Sequence, residues 1–297
     1  MIYICAQPAW FYYSWQIDIM LNSFKKIGLD DEIHIVSGFQ TNIHKNFSKL
    51  AKKYENVSFF YYPDTRENPK YVSSIRPHLM MKHWKANPWL KDHTIFYHDC
   101  DIALTRKLEL PNDDVCYLSD TKSYIGHDYI KSKGDDVLRL MCGVVNINQR
   151  TLKERQNESG GAQYVLKGID RGYWAEVYKD AENLFEAVTR LNNKKKKADP
   201  SYHELQIWCA DMWAVLWNLW KRNKKTEIIP EMEFTWANNK IEDWEKNAIF
   251  HNAGVTSEKS GMFYKAIHQL ELPPNDLEIN DKYASKKYYD LLCETLY

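Results

Sequence analysis

The stretch Thr94-Ile95-Phe96-Tyr97-His98-Asp99-Cys100-Asp101 decides how the chain is read: β-favouring apolar residues run into two carboxylates one residue apart. Strand propensity carries such a run into the interior, whereas two ionised groups this close resist burial unless a cation lies between them. The stretch therefore predicts a buried strand whose exit holds a metal. In open α/β sheets ligands bind beyond the carboxyl ends of the strands, so chemistry is expected at this edge.

Upstream, residues 2 to 6 read as a first strand leading into Gln7-Pro8, and Ser14 to Lys26 as a helix with Trp15, Ile19, Met20 and Phe24 near helical spacing, closed by Gly28. Glu32 to Val36 is a second strand, Ile43 to Tyr54 a lysine-faced helix, and Val57 to Tyr62 a third strand stopped by Pro63. This β-α-β-α-β rhythm predicts a parallel sheet. The next helix lies between Tyr71 and Trp84, starting near Ser74 or Arg76 because Pro77 suits a first turn, and Asn87-Pro88 closes it.

Downstream, Val115 to Leu118 and Met141 to Ile147 read as strands joined by a polar, mobile loop. In Glu158 to Leu166 a glycine pair, Gly160-Gly161, opens a short helix whose N–H groups could face an anion or a sugar hydroxyl; a plain flexible turn is the alternative. Lys179 to Leu191 is an amphipathic helix and residues 192–197, with four lysines, an exposed loop. Ser201 and Glu204 form a capping box for a helix on which Glu204, Trp208, Asp211 and Val215 share a face. Asp211 is then a carboxylate in a tryptophan-rich surface, structural or catalytic, whose pKa desolvation raises unless a partner compensates. Glu227 to Ile229 is an edge strand, and Ile249 to Val255 a short strand entering a glycine turn.

Size allows one large α/β domain or a domain with a helical annex. Forty basic residues balance forty acidic ones, so no global positive field points to nucleic acid or membrane. The six cysteines are scattered, without the close pairs that zinc sites use, and read as buried thiols in a reducing compartment. With no signal-like start and no apolar run of about eighteen residues, the expectation is a soluble, cytoplasmic protein without a membrane partner. Eleven tryptophans and twenty tyrosines supply rings that fill a core or stack on sugars and bases.

An apolar strand followed by Asp-x-Asp occurs in two unrelated metal-enzyme families. Phosphatases of the haloacid-dehalogenase type carry Asp-x-Asp-x-Thr/Val near the N-terminus, but here Ala103 occupies the Thr/Val position, Thr105 comes two places late, and three β/α units precede the motif. The chain better resembles the GT-A nucleotide-sugar glycosyltransferases. Phe250-His251-Asn252-Ala253-Gly254-Val255, followed by Gly261-Met262-Phe263-Tyr264-Lys265, is similar to the C-terminal His-x-x-Gly…Lys element of glycogenin-like retaining enzymes, without their Lys-Pro-Trp ending. Arg76-Pro77, Asn87-Pro88-Trp89-Leu90, Gly160-Gly161-Ala162-Gln163-Tyr164 and Ala210-Asp211-Met212-Trp213 resemble the hydroxyproline arabinosyltransferase-like and peptidyl-serine galactosyltransferase-like branch, whose members are membrane-anchored.

The resemblance implies a GT-A, Rossmann-like α/β fold: a mixed, mainly parallel sheet flanked by helices, with a helical C-terminal half. Within that single domain, residues 1–110 would form the nucleotide-sugar-binding half and 111–297 the acceptor-binding and catalytic half. It implies Mn²⁺ or Mg²⁺ on Asp99, Asp101 and His251, a UDP-sugar donor, and transfer to a hydroxyl with retention. Ala6, Gln7 and Gly254, with Thr65 or Arg66, would border the nucleotide, and Arg76 and Lys265 the phosphates. Gly160, Gly161 and Gln163 would lie beside the sugar, and Asp211 would bind it or act on the acceptor. Were the reaction inverting, Asp211 or Glu204 would be the general base. The acceptor is left as a glycan, a protein side chain or a modified DNA base. The last reading rests on basic residues at 194–197 and at 221, 222, 224 and 225; a non-catalytic carbohydrate-binding protein is a further alternative.

Overall fold

A computed structural model describes every residue from Met1 to Tyr297. In chain order its first elements are β1 (Ile2–Pro8), α1 (Phe11–Lys26), β2 (Glu32–Phe39), α2 (Lys45–Lys53), β3 (Val57–Pro63), α3 (Ile75–Ala86), β4 (Ile95–His98) and β5 (Ile102–Leu104). Next come β6 (Cys116–Asp120), α4 (Lys122–Ile125), α5 (His127–Ser132), α6 (Asp135–Val145), α7 (Gln149–Glu154), β7 (Gly160–Leu166), α8 (Arg171–Ala198) and α9 (Ala210–Lys221). The chain ends with β8 (Thr226–Ile228), β9 (Phe234–Trp236), α10 (Asp243–Lys246), β10 (Ile249–His251) and α11 (Ala284–Leu296). The class is the expected mixed, mainly parallel α/β. It divides into two compact units, one of Met1–Pro63, His98–Asn112 and Pro230–Tyr297, the other of Asp64–Tyr97 and Asp113–Ile229.

In the first unit the strand order is β3-β2-β1, all parallel, with Ile4 opposite His34 and Ile35 opposite Phe59. Every residue of β1 is buried, as a strand covered on both faces requires. A small second sheet, ordered β5-β10-β9, pairs β10 antiparallel to β5 with His251 opposite Ile102. This register matters for the site, because it sets His251 beside the end of the Asp-x-Asp turn. Trp15 and Ile19 of α1 pack with Ala103, Phe250, Phe263, Tyr288 and Leu292 into the core that backs this sheet.

In the second unit the order is β4-β7-β6-β8, with β7 antiparallel to both neighbours and β6 parallel to β8. The fully buried Trp84 and Trp174 meet with ring centroids 5.6 Å apart, and Trp84 Nε1 donates to Ile169 O at 2.6 Å. Such buried rings dominate a core, and truncating one to alanine costs about 3–5 kcal/mol.

Several elements differ from expectation. Met141–Ile147 is not a strand: Val137, Leu138, Met141, Cys142 and Val145 recur at helical spacing on the buried face of α6, and Asn146 ends it in the left-handed region (φ 57°). Gly160-Gly161 opens β7, not a helix. A side chain at Gly160 would meet Leu118 Cβ at 2.5 Å and the Ser119 carbonyl at 2.7 Å, so glycine is required by the close approach of β6. The lysine run belongs to the last turns of α8, where cations suit the negative end of the helix dipole. Residues 121–134 carry two short helices instead of a loop. Finally, α9 starts at Ala210 rather than after Ser201, because the Ser201 hydroxyl donates to Asp199 at 2.7 Å and caps nothing.

Candidate metal centre and the Asp211 cluster

Strand β4 ends at His98, and the turn that follows presents Asp99 and Asp101. The pairing of β10 with β5 brings His251 to them from 150 residues away: its Nε2 lies 3.4 Å from Asp101 Oδ1 and 3.7 Å from Asp99 Oδ2. The backbone fixes the approach, since Asn252 N donates to Asp101 O at 2.9 Å. The imidazole is held in place by Trp236, stacked at 6.2 Å, and by Phe234, tilted at 5.5 Å. One donor atom from each of the three side chains lies within 4.8 Å of the others. Two carboxylates and an imidazole form a donor set that suits Mn²⁺ or Mg²⁺, and the residues present fit such an ion.

Lys265 reaches the same carboxylate. Its ammonium is ion-paired with Asp101 Oδ2 and donates to Asn252 O at 2.7 Å. Burial alone would raise the Asp101 carboxyl, but Lys265 and His251 overcome it and hold the group far below the usual carboxylate range. Behind it the Tyr288 phenol is fully buried; burial first, then the Asp101 charge, raise its pKa well above the ordinary value. Gly254 sits in the left-handed region (φ 87°) after β10, where a side chain would meet Asn238 and Trp236. Ala6 and Gln7 are buried at the end of β1, Gln7 opposite Ser37.

In the second unit Asp211 opens α9 and is 5% exposed. It is ion-paired through Oδ2 with Arg76 Nη2, while the Tyr71 hydroxyl lies 2.6 Å from Oδ1 and 2.5 Å from Trp208 O. Burial, then the neighbouring Asp211 charge, push the Tyr71 phenol well up, so it remains a donor. Tyr71 itself stacks on Phe185 at 4.9 Å. Gln163 is fully buried and accepts from Ser119 Oγ at 3.0 Å; Ala162 before it, at φ 66°, takes up the bulge between Leu118 and Ser119. Gly161 faces the Tyr164 hydroxyl and the Met212 methyl, which leave no room for a side chain. Glu204 is exposed and paired with Lys196, away from any helix shared with Asp211. Arg66 is spent on Asp64, Ser74 and the Val72 carbonyl.

Tyr71, the carbonyl of Trp208 and the Tyr288 shell carried no signal in the sequence. A tyrosine hydroxyl bridging two groups 137 and 140 residues away follows no local spacing.

No protein-family model matches the chain, and no curated protein does. Among solved structures, the galactosyltransferase LgtC in complex with donor and acceptor sugar analogues matches over 100% of this chain and 97% of its own, with a TM-score of 0.50 at 10% identity. An active-site mutant of LgtC matches over the same shares, with a TM-score of 0.49 at 10% identity. The glycosyltransferase GlyE of Streptococcus pneumoniae TIGR4 covers 98% of this chain and 59% of its own, with a TM-score of 0.45 at 10% identity. At this identity the likeness is one of fold, the GT-A fold expected from the Asp-x-Asp resemblance. No helix is long and apolar enough to cross a membrane.

Proposed function

We propose that this chain is a metal-dependent glycosyltransferase that moves a sugar from a nucleotide diphosphate donor, UDP-linked, to a hydroxyl acceptor with retention of anomeric configuration. The observation that carries the reading is the meeting of His251 with Asp99 and Asp101 across 150 residues of sequence, in a chain with the fold of a galactosyltransferase. That galactosyltransferase was seen with donor and acceptor sugar analogues.

Asp99, Asp101 and His251 would hold Mn²⁺ or Mg²⁺, which when bound neutralises the diphosphate and improves it as a leaving group. In this proposal Lys265 and Arg76 meet donor phosphates, an arginine fork and an ammonium both suiting phosphate oxygens. Ala6, Gln7 and Gly254 border the nucleotide, within a nucleotide-sugar half over residues 1–110. Gly160, Gly161 and Gln163 border the sugar in the half over residues 111–297. Asp211, buried and ion-paired with Arg76, accepts hydrogen bonds from sugar hydroxyls. In retention the bond from the anomeric carbon to the diphosphate oxygen breaks, the bond to the acceptor oxygen forms on the same face, and the acceptor proton passes to the departing phosphate. No dedicated base is then needed, in keeping with the exposed, lysine-paired Glu204.

The other readings have less support. Ala103, in the place of the phosphatase threonine, is buried in β5. Four of the eight basic residues offered to DNA are paired with carboxylates: Lys195 with Asp136, Lys196 with Glu204, Lys221 with Asp180, and Arg222 with Asp170 and Glu176.

The test is thermal stabilisation by a panel of nucleotide sugars with and without Mn²⁺, since a ligand of the folded state raises Tm. A UDP-sugar is expected to raise Tm only with the metal, and Mn²⁺-dependent donor hydrolysis to accompany it. Hydrolysis of p-nitrophenyl phosphate without any nucleotide-sugar response would move the protein to the phosphatases.

A further inference from the structure

Beside the Asp-x-Asp turn of the first unit, two buried hydrogen-bonding groups have no partner. The Asn252 side-chain nitrogen and the Tyr288 hydroxyl are both buried and neither makes a hydrogen bond. Leaving such groups unpaired is costly, and roughly nine in ten buried polar groups in folded proteins are paired. Two of them next to one ionised carboxylate call for a physical reason.

Asn252 follows His251, and its main chain brackets Asp101: its N–H donates to Asp101 O at 2.9 Å, and its carbonyl accepts from Lys265 Nζ at 2.7 Å. Tyr288 comes from α11. Its ring stacks on Phe250, the neighbour of His251, at 5.3 Å and meets Phe263, two residues before Lys265, at 6.1 Å. Phe263 N donates to Ser285 Oγ at 2.8 Å, which ties the segment leading to Lys265 to the same helix. The phenol feels the Asp101 charge and lies near the Asn252 amide. Burial and that charge keep it protonated, so it remains a donor.

The two oxygens of Asp101 have different partners. Oδ1 lies 3.4 Å from His251 Nε2, on the metal side, whereas Oδ2 is paired with Lys265. Once Lys265 turns to a donor phosphate, Oδ2 loses its cation inside a buried site, and a buried carboxylate stripped of its partner is strongly destabilising. We propose that Asn252 and Tyr288 are positioning residues that take over Asp101 Oδ2 when Lys265 moves to the donor diphosphate, so that the carboxylate keeps its aim at the metal while the lysine changes partner. The inference rests on the metal-dependent glycosyltransferase reading and adds to it the groups that keep its metal ligand in place. Donors behind a ligating carboxylate fix its orientation and tune metal affinity. With Lys265 seated on Asp101 they are surplus, which accounts for their unpaired state.

The test is a set of double-mutant cycles in the full chain, crossing Tyr288→Phe and Asn252→Ala with Lys265→Met. Titration calorimetry reads the Mn²⁺ Kd with and without UDP, and electron paramagnetic resonance of bound Mn²⁺ reads the symmetry of its ligand shell. With Lys265 present and no UDP, each of the two changes should move the Mn²⁺ Kd less than twofold. With UDP bound, or in the Lys265→Met background without it, each should weaken Mn²⁺ about tenfold and broaden the Mn²⁺ spectrum. Metal-free thermal midpoints report folding, and Tyr288→Phe, which deletes an unpaired hydroxyl, should hold or raise its own. Equal shifts in every background would make the two residues merely structural, and no shift in the Lys265→Met background would leave Asp101 without their help; either result overturns the hand-over. If UDP fails to bind while Tyr288→Phe still couples to Lys265→Met, the nucleotide reading fails and the positioning role survives. Absence of Mn²⁺ binding in every variant overturns both.

Discussion

Lys265 sits on Asp101, its ammonium shared between that carboxylate and the carbonyl of Asn252. The protein therefore holds an internal cation against one of the three groups assigned to the metal. Two cations compete for one buried carboxylate, whereas a donor diphosphate can take over the lysine. Lys265→Met is expected to tighten Mn²⁺ binding without nucleotide by about fivefold and to weaken UDP binding by about tenfold or more, so that metal and nucleotide lose their mutual reinforcement. Titration calorimetry of Mn²⁺ with and without UDP measures both arms.

His251 is expected to be the residue whose loss most directly separates binding from folding. His251→Gln keeps a polar side chain between Phe234 and Trp236 but removes the imidazole donor. Changing outer-shell partners of a metal ligand costs about 10–100-fold in metal affinity, so losing the ligand itself should reach the upper end or beyond. The Mn²⁺-dependent rise in Tm should disappear while the metal-free Tm stays within a few degrees.

The Arg76–Asp211–Tyr71 cluster makes a graded prediction about stability. Arg76→Met leaves the Asp211 carboxylate buried without its counter-charge and should cost about 3–5 kcal/mol. Tyr71→Phe removes one hydrogen-bond donor and should cost about 1–3 kcal/mol. Pairing Arg76→Met with Asp211→Asn should recover part of the first loss, and urea unfolding of the variants reads the series. In Asp211→Asn alone, turnover is expected to fall about ten- to a hundredfold through the loss of charge-assisted hydrogen bonds to sugar hydroxyls; unchanged turnover in a folded variant would remove Asp211 from the reaction.

What the sequence made legible follows from which interactions are local. Strands β1 to β4 and the helices between them were readable because apolar periodicity and the stops at Gly28, Pro63 and Asn87-Pro88 act within a few residues. His251 was found only through a motif resemblance, since its meeting with Asp101 depends on the β10–β5 register. The run at Met141 misled because a short apolar stretch has no period of its own, and its helical partners Val137 and Leu138 lie just upstream. Ser201 and Glu204 had capping-box spacing, but Asp199 took the serine hydroxyl first. The short strands β5 and β9 pair only through β10, a contact that no window of sequence contains.

His78 gives the protein an acid-sensitive element outside the metal centre. It is 4% exposed on α3, with Nε2 3.4 Å from Thr65 N and Oγ1 and its ring 5.2 Å from Tyr178. Burial first, then the positive charges of Lys82 and Arg66, lower its pKa to about 4 against the opposing pull of Asp64. A histidine whose folded pKa lies below its unfolded value of about 6.5 binds its proton more readily in the unfolded chain. Its contribution is therefore fully present above pH 6.5 and is lost progressively as pH falls towards 4. His78→Gln removes that proton, so the drop in Tm between pH 6.5 and 4 should be shallower in the variant than in wild type, with the two curves parallel above pH 7. Parallel curves across the whole range would assign the acid sensitivity to other groups.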